Sequence, residues 1–545
     1  MEVFEIEKSV VVIDQDRDDC GVLLGHHARN QTATGREGDG VQVYDPHAEG
    51  IGGDLISAVL GIIKGMVGPA ILYLPHGFAR AGYVPALPIM ACTTCMYLYS
   101  SSCLLAAWRI EAAKNYNGAG EYEPVSVTPE GTNITNDGIM TEGPLESHAV
   151  HPNTSSVLPM HAQQQEPMTQ LPPQYPQPVQ QQQQQQQQHH HQQQKQQSLS
   201  TPLSYPELAR RTLGPSGETA VKCGIALMQS GVCLTYLIFV PHNLSVSLNN
   251  LFGMNAPARS WLVVMVLIQI PLSWIRNIRL FTTTNFVANV LILYGLITCL
   301  GFAVEEASAA HPEKGHVGSF VAQLGQMSPF QPSWFLFIGT SVLLFEGSIT
   351  LLIPLQEAVD KPEERQQFPQ VYKRVILAII GFYLFFGLSC WASFGDDVTT
   401  VLTTSLPTGM FATSVQLAYS IAVIFTFPLQ NFPALEIACK TLTKSLVSTG
   451  LVSRTSWLVR RDVLSSVLVC ILALVAVTTM DALDKVVSLM GALLGCPIAF
   501  VFPPLIYDKL CSEPDSSPVR YWNKAVALMG ILAMLFASAV TIVEW

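Results

Sequence analysis

Two short stretches of this sequence hold residue types that could do chemistry inside an apolar setting. The first is "FLFIGTSVLLFEGSITLLIP", residues 335–354, which carries Glu346 in the middle of a run otherwise fit to cross a membrane. An acid at that depth is costly and marks function more often than not. Burial also disfavours the ionised form of a carboxyl, which would let Glu346 exchange a proton with an acidic compartment. The alternative is a structural acid paired with Lys64 or a backbone amide. The second stretch is "KGMVGPAILYLP", residues 64–75, with Lys64, two glycines and two prolines in the first long apolar run.

The two stretches share a pattern. "GPAILYLP" (68–75) and "GSITLLIP" (347–354) both run glycine, six residues, proline. Each predicts a helix broken near mid-membrane. Unwound backbone survives there only where it lines a cavity, because a lipid-exposed break would strand amides and carbonyls without partners. Free amides at half-helix N-termini favour a carboxylate, and free carbonyls at C-termini favour an ammonium or a metal cation. The pair therefore suits a zwitterion, an amino acid. The substrate-binding candidates are Gly65, Met66, Val67, Gly68 and Pro69 at the first break, and Phe345, Gly347 and Ser348 at the second. Phe345 would cover a bound substrate, or simply pack.

Lys64, Glu346 and Thr426 are the candidates for ion coupling. Lys64 could equally snorkel to the interface. Thr426, in "FTFPLQNFP", could approach a cation, or could bond its own helix backbone. A proton fits better than sodium, since Lys64 would oppose a metal cation near the break. No other cofactor is expected. His76 and His242 read as interfacial residues near helix ends.

These residues need helices to hold them. Of the 545 residues 49% are hydrophobic and 13% charged, against roughly 25% charged in average globular chains. A span takes about 20 apolar residues. Eleven are expected, near 55–79, 84–108, 219–247, 260–275, 281–303, 334–356, 371–394, 411–430, 461–480, 485–507 and 522–543. The broken stretches fall in spans one and six. Five helices apart and oppositely directed, they imply a five-plus-five inverted repeat with discontinuous helices one and six and one extra helix. The fold class is an all-α membrane protein.

Basic residues set the direction. With a cytosolic N-terminus, the cytosolic connections hold Arg276, Arg279, Lys361, Arg365, Lys373, Arg374, Lys440, Lys444, Arg454, Arg460, Arg461, Lys509, Arg520 and Lys524. The other side holds Arg80, Arg259, Lys314 and Lys485. No secretory signal is evident, so the first span would serve for targeting. None of the twelve cysteines lies in a far-side loop, and no disulfide framework follows. Cys92 and Cys95 form a C-x-x-C inside an apolar helix and read as two small buried hydrophobes.

Residues 1–51 read as a disordered cytosolic tail, 52–109 as spans one and two, 110–203 as a disordered cytosolic insert rich in Gln, Pro and His, and 204–545 as spans three to eleven. The insert contains "QQQQQQQQQHHHQQQKQQ" and cannot bury enough apolar surface to fold. His189–His191 could bind a metal weakly, but a plain repeat tract explains it. Asn30, Asn133 and Asn153 sit in N-x-S/T patterns on the cytosolic side, where glycosylation does not occur. In the tail, "DCGVLL" sets Asp19 ahead of Leu23 and Leu24, the pattern of an acidic dileucine signal for a sorting adaptor; short patterns of this kind also arise by chance.

"IIKGMVGPAILYLPHGFARAG", "SYPELARRTLG", "YLIFVPHNL", "PLSWIRNIR", "FEGSITLLIPLQEAVDKPE" and "IAVIFTFPLQNFPALEI" resemble the amino acid/auxin permease family. The branch of vacuolar amino acid transporters and animal proton-coupled amino acid transporters looks nearest. The resemblance covers 52–109 and 204–545 and implies eleven helices, an inverted-repeat fold and cation-coupled movement of amino acids. Two departures stand out. The family's first break reads G-x-x-G-small-G, whereas Pro69 and Ala70 follow Gly68 here. The animal members carry a histidine three residues before the lysine, where this chain has Gly61, so a mechanism using that histidine does not carry over.

No G-x-S-x-G, H-E-x-x-H or P-loop pattern is present, so an enzyme is not expected. A channel fits broken half-helices with one buried acid less well than alternating access does. The expected function is proton-coupled symport of amino acids by a secondary active transporter. The alternative is an amino acid sensor that signals through the cytosolic insert. The expected partners are the amino acid, the bilayer and the adaptor, with no nucleic acid. The expected location is a vacuolar or lysosomal membrane, with the plasma membrane as the alternative.

Overall fold

The computed structural model describes residues 54–117, 203–275, 279–310, 325–448, 457–511 and 517–545, together with 318, 322, 323 and 514. Asp19–Leu24, Asn30, Asn133, Asn153 and His189–His191 lie outside the described residues. Among the described residues the architecture is all-helical and contains no strand. Helix α1 (Leu55–Met66) leads through a 3-10 turn (Pro69–Tyr73) into α2 (Leu74–Ala81). Then come α3 (Tyr83–Asn117), α4 (Tyr205–Phe252), α5 (Ala258–Trp274) and α6 (Arg279–Ala310). The next pair, α7 (Leu336–Leu343) and α8 (Glu346–Ala358), precedes α9 (Pro362–Phe394) and α10 (Met410–Ser448). Last are α11 (Trp457–Thr479), α12 (Leu483–Leu489), a π-helical stretch (Met490–Gly495 and Pro497–Val501), α13 (Phe502–Leu510) and α14 (Pro518–Val543).

Among the described residues, eight helices are long and apolar enough to cross a membrane, or nine when the bent pair α1–α2 counts as one span. Their apolar stripes face outward. Val463, Val467, Ile471 and Leu474 on α11, and Leu528, Leu532 and Leu535 on α14, are all exposed at helical spacing. In water such faces would need a partner; in a bilayer the lipid supplies it. Cys92 and Cys95 also lie on an exposed face of α3 and not in the core. Lipid tails are as apolar as a protein interior, so a thiol there costs little.

Polar groups instead gather inside. Thr403 donates to Asn243 Oδ1 (2.6 Å), Gln416 to the Thr403 carbonyl (2.9 Å) and Ser247 to Gln416 Oε1 (2.9 Å), joining α4, α10 and the loop between α9 and α10. All four residues are buried. Local sequence sets the helix ends. Ser204 accepts the Glu207 amide at the start of α4, an N-cap bond that satisfies one of the helix's unpaired amides. Gly214, at φ 79°, interrupts α4 ahead of Pro215. Pro428 removes the amide that would pair with the Ile424 carbonyl in α10, and Gln269 of α5 takes that carbonyl at 3.0 Å.

Candidate functional site at a broken helix

The first break lies where the sequence places it. Val67 (ψ 86°) and Gly68 (φ −131°, ψ −167°) leave helical geometry, and Pro69, with no amide to donate, opens the 3-10 turn. The two halves are bent by 41°. The Met66 carbonyl, freed from the helix ladder, accepts the Gly68 amide (2.9 Å) and the Tyr383 hydroxyl of α9 (2.7 Å). Met66 and Pro69 are buried, Gly65 and Val67 half-buried. A Cβ placed on Gly68 would meet nothing within 4 Å, so the chain faces open space there.

The second break differs from expectation. Gly347–Pro354 stays helical within α8, and the interruption falls earlier, at Leu344 and Phe345. Both keep near-helical angles, and the chain tightens through a Phe345 N–H bond to the Val342 carbonyl (3.1 Å). The α7–α8 span is therefore tightened rather than unwound. Its glycine serves packing: a Cβ on Gly347 would drive into the Gly65 carbonyl oxygen, so α1 and α8 cross backbone to backbone. Gly339 makes a like crossing one step earlier, against Ser488 and Gly491. Small residues at such crossings let membrane helices approach closely.

Glu346 opens α8, half-buried beside this crossing. Gln229 of α4 donates to its Oε1 at 2.5 Å and Gln430 of α10 at 3.4 Å. The N-terminal end of α8 itself favours negative charge. Phe345 is fully buried and stacks on Tyr97 of α3, centroids 4.3 Å apart. Ser348 bonds the Tyr97 hydroxyl (2.6 Å), which also meets Tyr372 of α9 (2.5 Å). The structure thus brings Gly65, Gly347, Glu346, Phe345 and Ser348 to one crossing.

The remaining candidates are placed as follows. Lys64 sits half-buried in the last turn of α1. Thr426 donates to the carbonyls of Ala422 (3.1 Å) and Val423 (3.2 Å), its own helix. His76 does more than sit at an interface. Its Nδ1 lies 2.7 Å from the Val398 carbonyl and its Nε2 3.9 Å from Asp484, tying α2 to two other segments. His242 bonds the Ile238 carbonyl one turn back. Among the described residues no group of His, Cys, Asp and Glu could hold a metal ion.

Sequence reasoning missed Gln229, Gln430, Tyr97, Tyr372 and Tyr383. Gln229 left a signal, a polar residue within "ALMQSGVCL". The tyrosines left none, since a membrane tyrosine reads equally as interface or core. Tyr383→Phe is expected to cost about 1 kcal/mol, the net worth of one hydrogen bond. A lowered melting temperature in detergent, with a changed transport rate, would show it. An unchanged protein on both counts would mean that the Gly68 amide suffices for the Met66 carbonyl.

These features define a multi-pass helical membrane protein whose first span, α1–α2, is broken and whose α7–α8 span places a carboxylate at the crossing. Residues 187–543 match the family model described as transmembrane amino acid transporter protein, and the chain belongs to that family. The match leaves α1 to α3 outside it. The chain is 30% identical to vacuolar amino acid transporter 3 of Saccharomyces cerevisiae, over 63% of this chain and 48% of that protein. It is 29% identical to vacuolar amino acid transporter 4 of the same yeast, over 62% and 49%. With amino acid transporter ANT1 of Arabidopsis thaliana it shares 25% identity, over 61% and 74%. The chain spans about half the length of the yeast relatives it matches. The family is one of transporters and not of enzymes.

Proposed function

We propose that this protein moves amino acids across a membrane as a secondary active transporter, coupled to protons in symport, by alternating access. The observation that carries this reading is the break at Val67 and Gly68, open on one side and crossed by α8 where Glu346 begins. The amides and carbonyls around such a break suit the two ends of an amino acid. The candidates for contact with it are Gly65, Met66, Val67, Gly68, Pro69, Phe345, Gly347 and Ser348. Glu346 is the proton site, with Lys64 beside the first break disfavouring a metal cation. Thr426 keeps its hydroxyl on its own helix and has the weakest claim.

Eleven spans accommodate the helices. The apolar stretch Arg461–Leu510 is 50 residues long, about 75 Å as a single helix, against about 30 Å of hydrocarbon. The 3-10 turn Met480–Ala482 divides it. With α5 as a short span of 17 residues and each bent or tightened pair as one, the segments make two sets of five and an extra helix. The basic residues favour a cytosolic N-terminus. The names of the fungal relatives and the pattern at Asp19–Leu24 support a vacuolar or lysosomal membrane. There an acidic lumen would drive amino acids outward to the cytosol.

The test is uptake of radiolabelled amino acids, offered one at a time, into proteoliposomes holding the full chain. Uptake is expected with an inward proton gradient and is expected to collapse when the gradient is dissipated. Flux that follows sodium at constant pH would overturn the ion assignment. Absence of gradient-driven uptake for every amino acid would overturn the function.

A further inference from the structure

We propose that Gln229 and Gln430 act as a pair of positioning residues that read the protonation state of Glu346 and through it release or hold the sixth span. The inference rests on the reading of Glu346 as the proton site. An ionised carboxylate only accepts hydrogen bonds, whereas a protonated one must also donate. Both amides point their nitrogen at the same oxygen, Oε1, at 2.5 Å from Gln229 and 3.4 Å from Gln430. That geometry serves the ionised form. The two amides come from different helices, α4 and α10, which pack extensively on one another. Glu346 belongs to α8, which packs mainly on α1. The three side chains are thus a polar tie between two groups of helices.

Protonation changes the tie without moving anything else first. The acid's new O–H needs an acceptor, and an amide can supply one by turning about its last side-chain bond. A charge-assisted pair of bonds becomes a neutral one of lower strength. The α8 segment is then held more weakly against α4 and α10, which is what a coupled transporter needs at the moment its ion binds.

Few other charges compete at this point. Cys233 and Tyr236 of α4 face Glu346 electrostatically. From α1 the charged residue is Lys64, on the turn beside the Gly65 crossing. From α9, Tyr372 reaches the Tyr97 hydroxyl that bonds Ser348, two residues along α8. The π-helical segment Pro497–Val501 brings no titratable group. On α10, Glu436 is taken up by Lys440 at 2.9 Å.

The experiment is the pH profile of gradient-driven amino acid uptake in proteoliposomes, wild type against Gln229→Leu, Gln430→Leu and Gln229→Glu. Removing a donor that favours the carboxylate should move the pH of half-maximal uptake upward, by about one unit for Gln229→Leu. Gln430→Leu, losing the longer bond, should shift it less. Gln229→Glu sets a second carboxylate beside the first, so the pair shares a proton and the midpoint climbs further. A purely structural role would lower the rate and leave the midpoint where it was; that outcome in both leucine variants overturns the inference. Melting temperature in detergent separates misfolding from mechanism, and if Gln229→Leu does not fold, Gln430→Leu and Gln229→Met carry the test. Glu346→Gln distinguishes the two levels. Full gradient-driven uptake in that variant removes the proton site itself, whereas loss there with unmoved midpoints in the glutamine variants removes only the reader.

Discussion

Gly347→Ala is expected to reduce transport at least about tenfold and to lower the melting temperature. The added Cβ would drive into the Gly65 carbonyl oxygen. The obstacle is backbone and not the end of a flexible side chain, so it cannot swing aside. Either α1 and α8 separate, which drags Glu346 off Gln229, or the chain distorts at the break. Overpacking of this kind costs roughly 1–3 kcal/mol and sometimes more. Gly65→Ala should be milder, because its Cβ first meets Leu351 Cδ1 at 2.8 Å, a terminal methyl that can turn. Gly301→Ala and Gly381→Ala are the controls, since a Cβ at either meets nothing within 4 Å. Both lie inside helices, where alanine is favoured over glycine by up to about 1 kcal/mol. If Gly347→Ala behaves like these controls, the backbone crossing is not what holds the site together.

The contrast between the two glycine-proline stretches shows how far the sequence could be read. Gly68 and Gly347 stand in the same pattern, yet only the first sits in unwound chain. Pro69 explains the difference: it follows Gly68 directly and removes a helical amide at that point, whereas Gly347 is followed by Ser348, which has an amide to give. A proline seven residues on, Pro75 or Pro354, does not decide the matter. The all-helical, membrane-spanning class was legible because apolar runs of sufficient length have few other uses. The acid at 346 was legible for the same reason, since charge stands out against such a run.

What was not legible are the partners that come from distant helices. Gln229 and Gln430 lie 117 and 84 residues from Glu346 in sequence. Tyr383 lies 317 residues from the Met66 carbonyl it satisfies. Such pairings depend on which faces of α4, α9 and α10 turn inward, and a helix polar on few positions does not announce its face. The reverse error arose at Cys92 and Cys95, assigned to the core because their type is usually buried. In a bilayer the rule that sorts apolar residues inward loses its force, and either face will hold a thiol.

Glu346→Gln is expected to abolish uptake driven by a pH gradient while leaving exchange of labelled for unlabelled amino acid across the same membrane. The amide has nearly the shape of the protonated acid and can hydrogen-bond with Gln229 and Gln430, so the crossing of α1 and α8 keeps its form. What it cannot do is alternate between charged and neutral states. A transporter so altered equilibrates substrate but cannot draw on the proton gradient. Stability should move opposite to Gly347→Ala. Replacing a carboxylate held at low dielectric by a neutral group of the same size removes a desolvation cost, so the melting temperature should hold or rise. The pair of measurements therefore separates a damaged fold from a disabled coupling. Exchange lost together with thermal stability would make Glu346 a structural acid. Gradient-driven uptake at the wild-type rate would place the coupling proton elsewhere. The candidate to examine next would be His76, whose ring lies between the carbonyl of Val398, in the loop after α9, and Asp484 of α12.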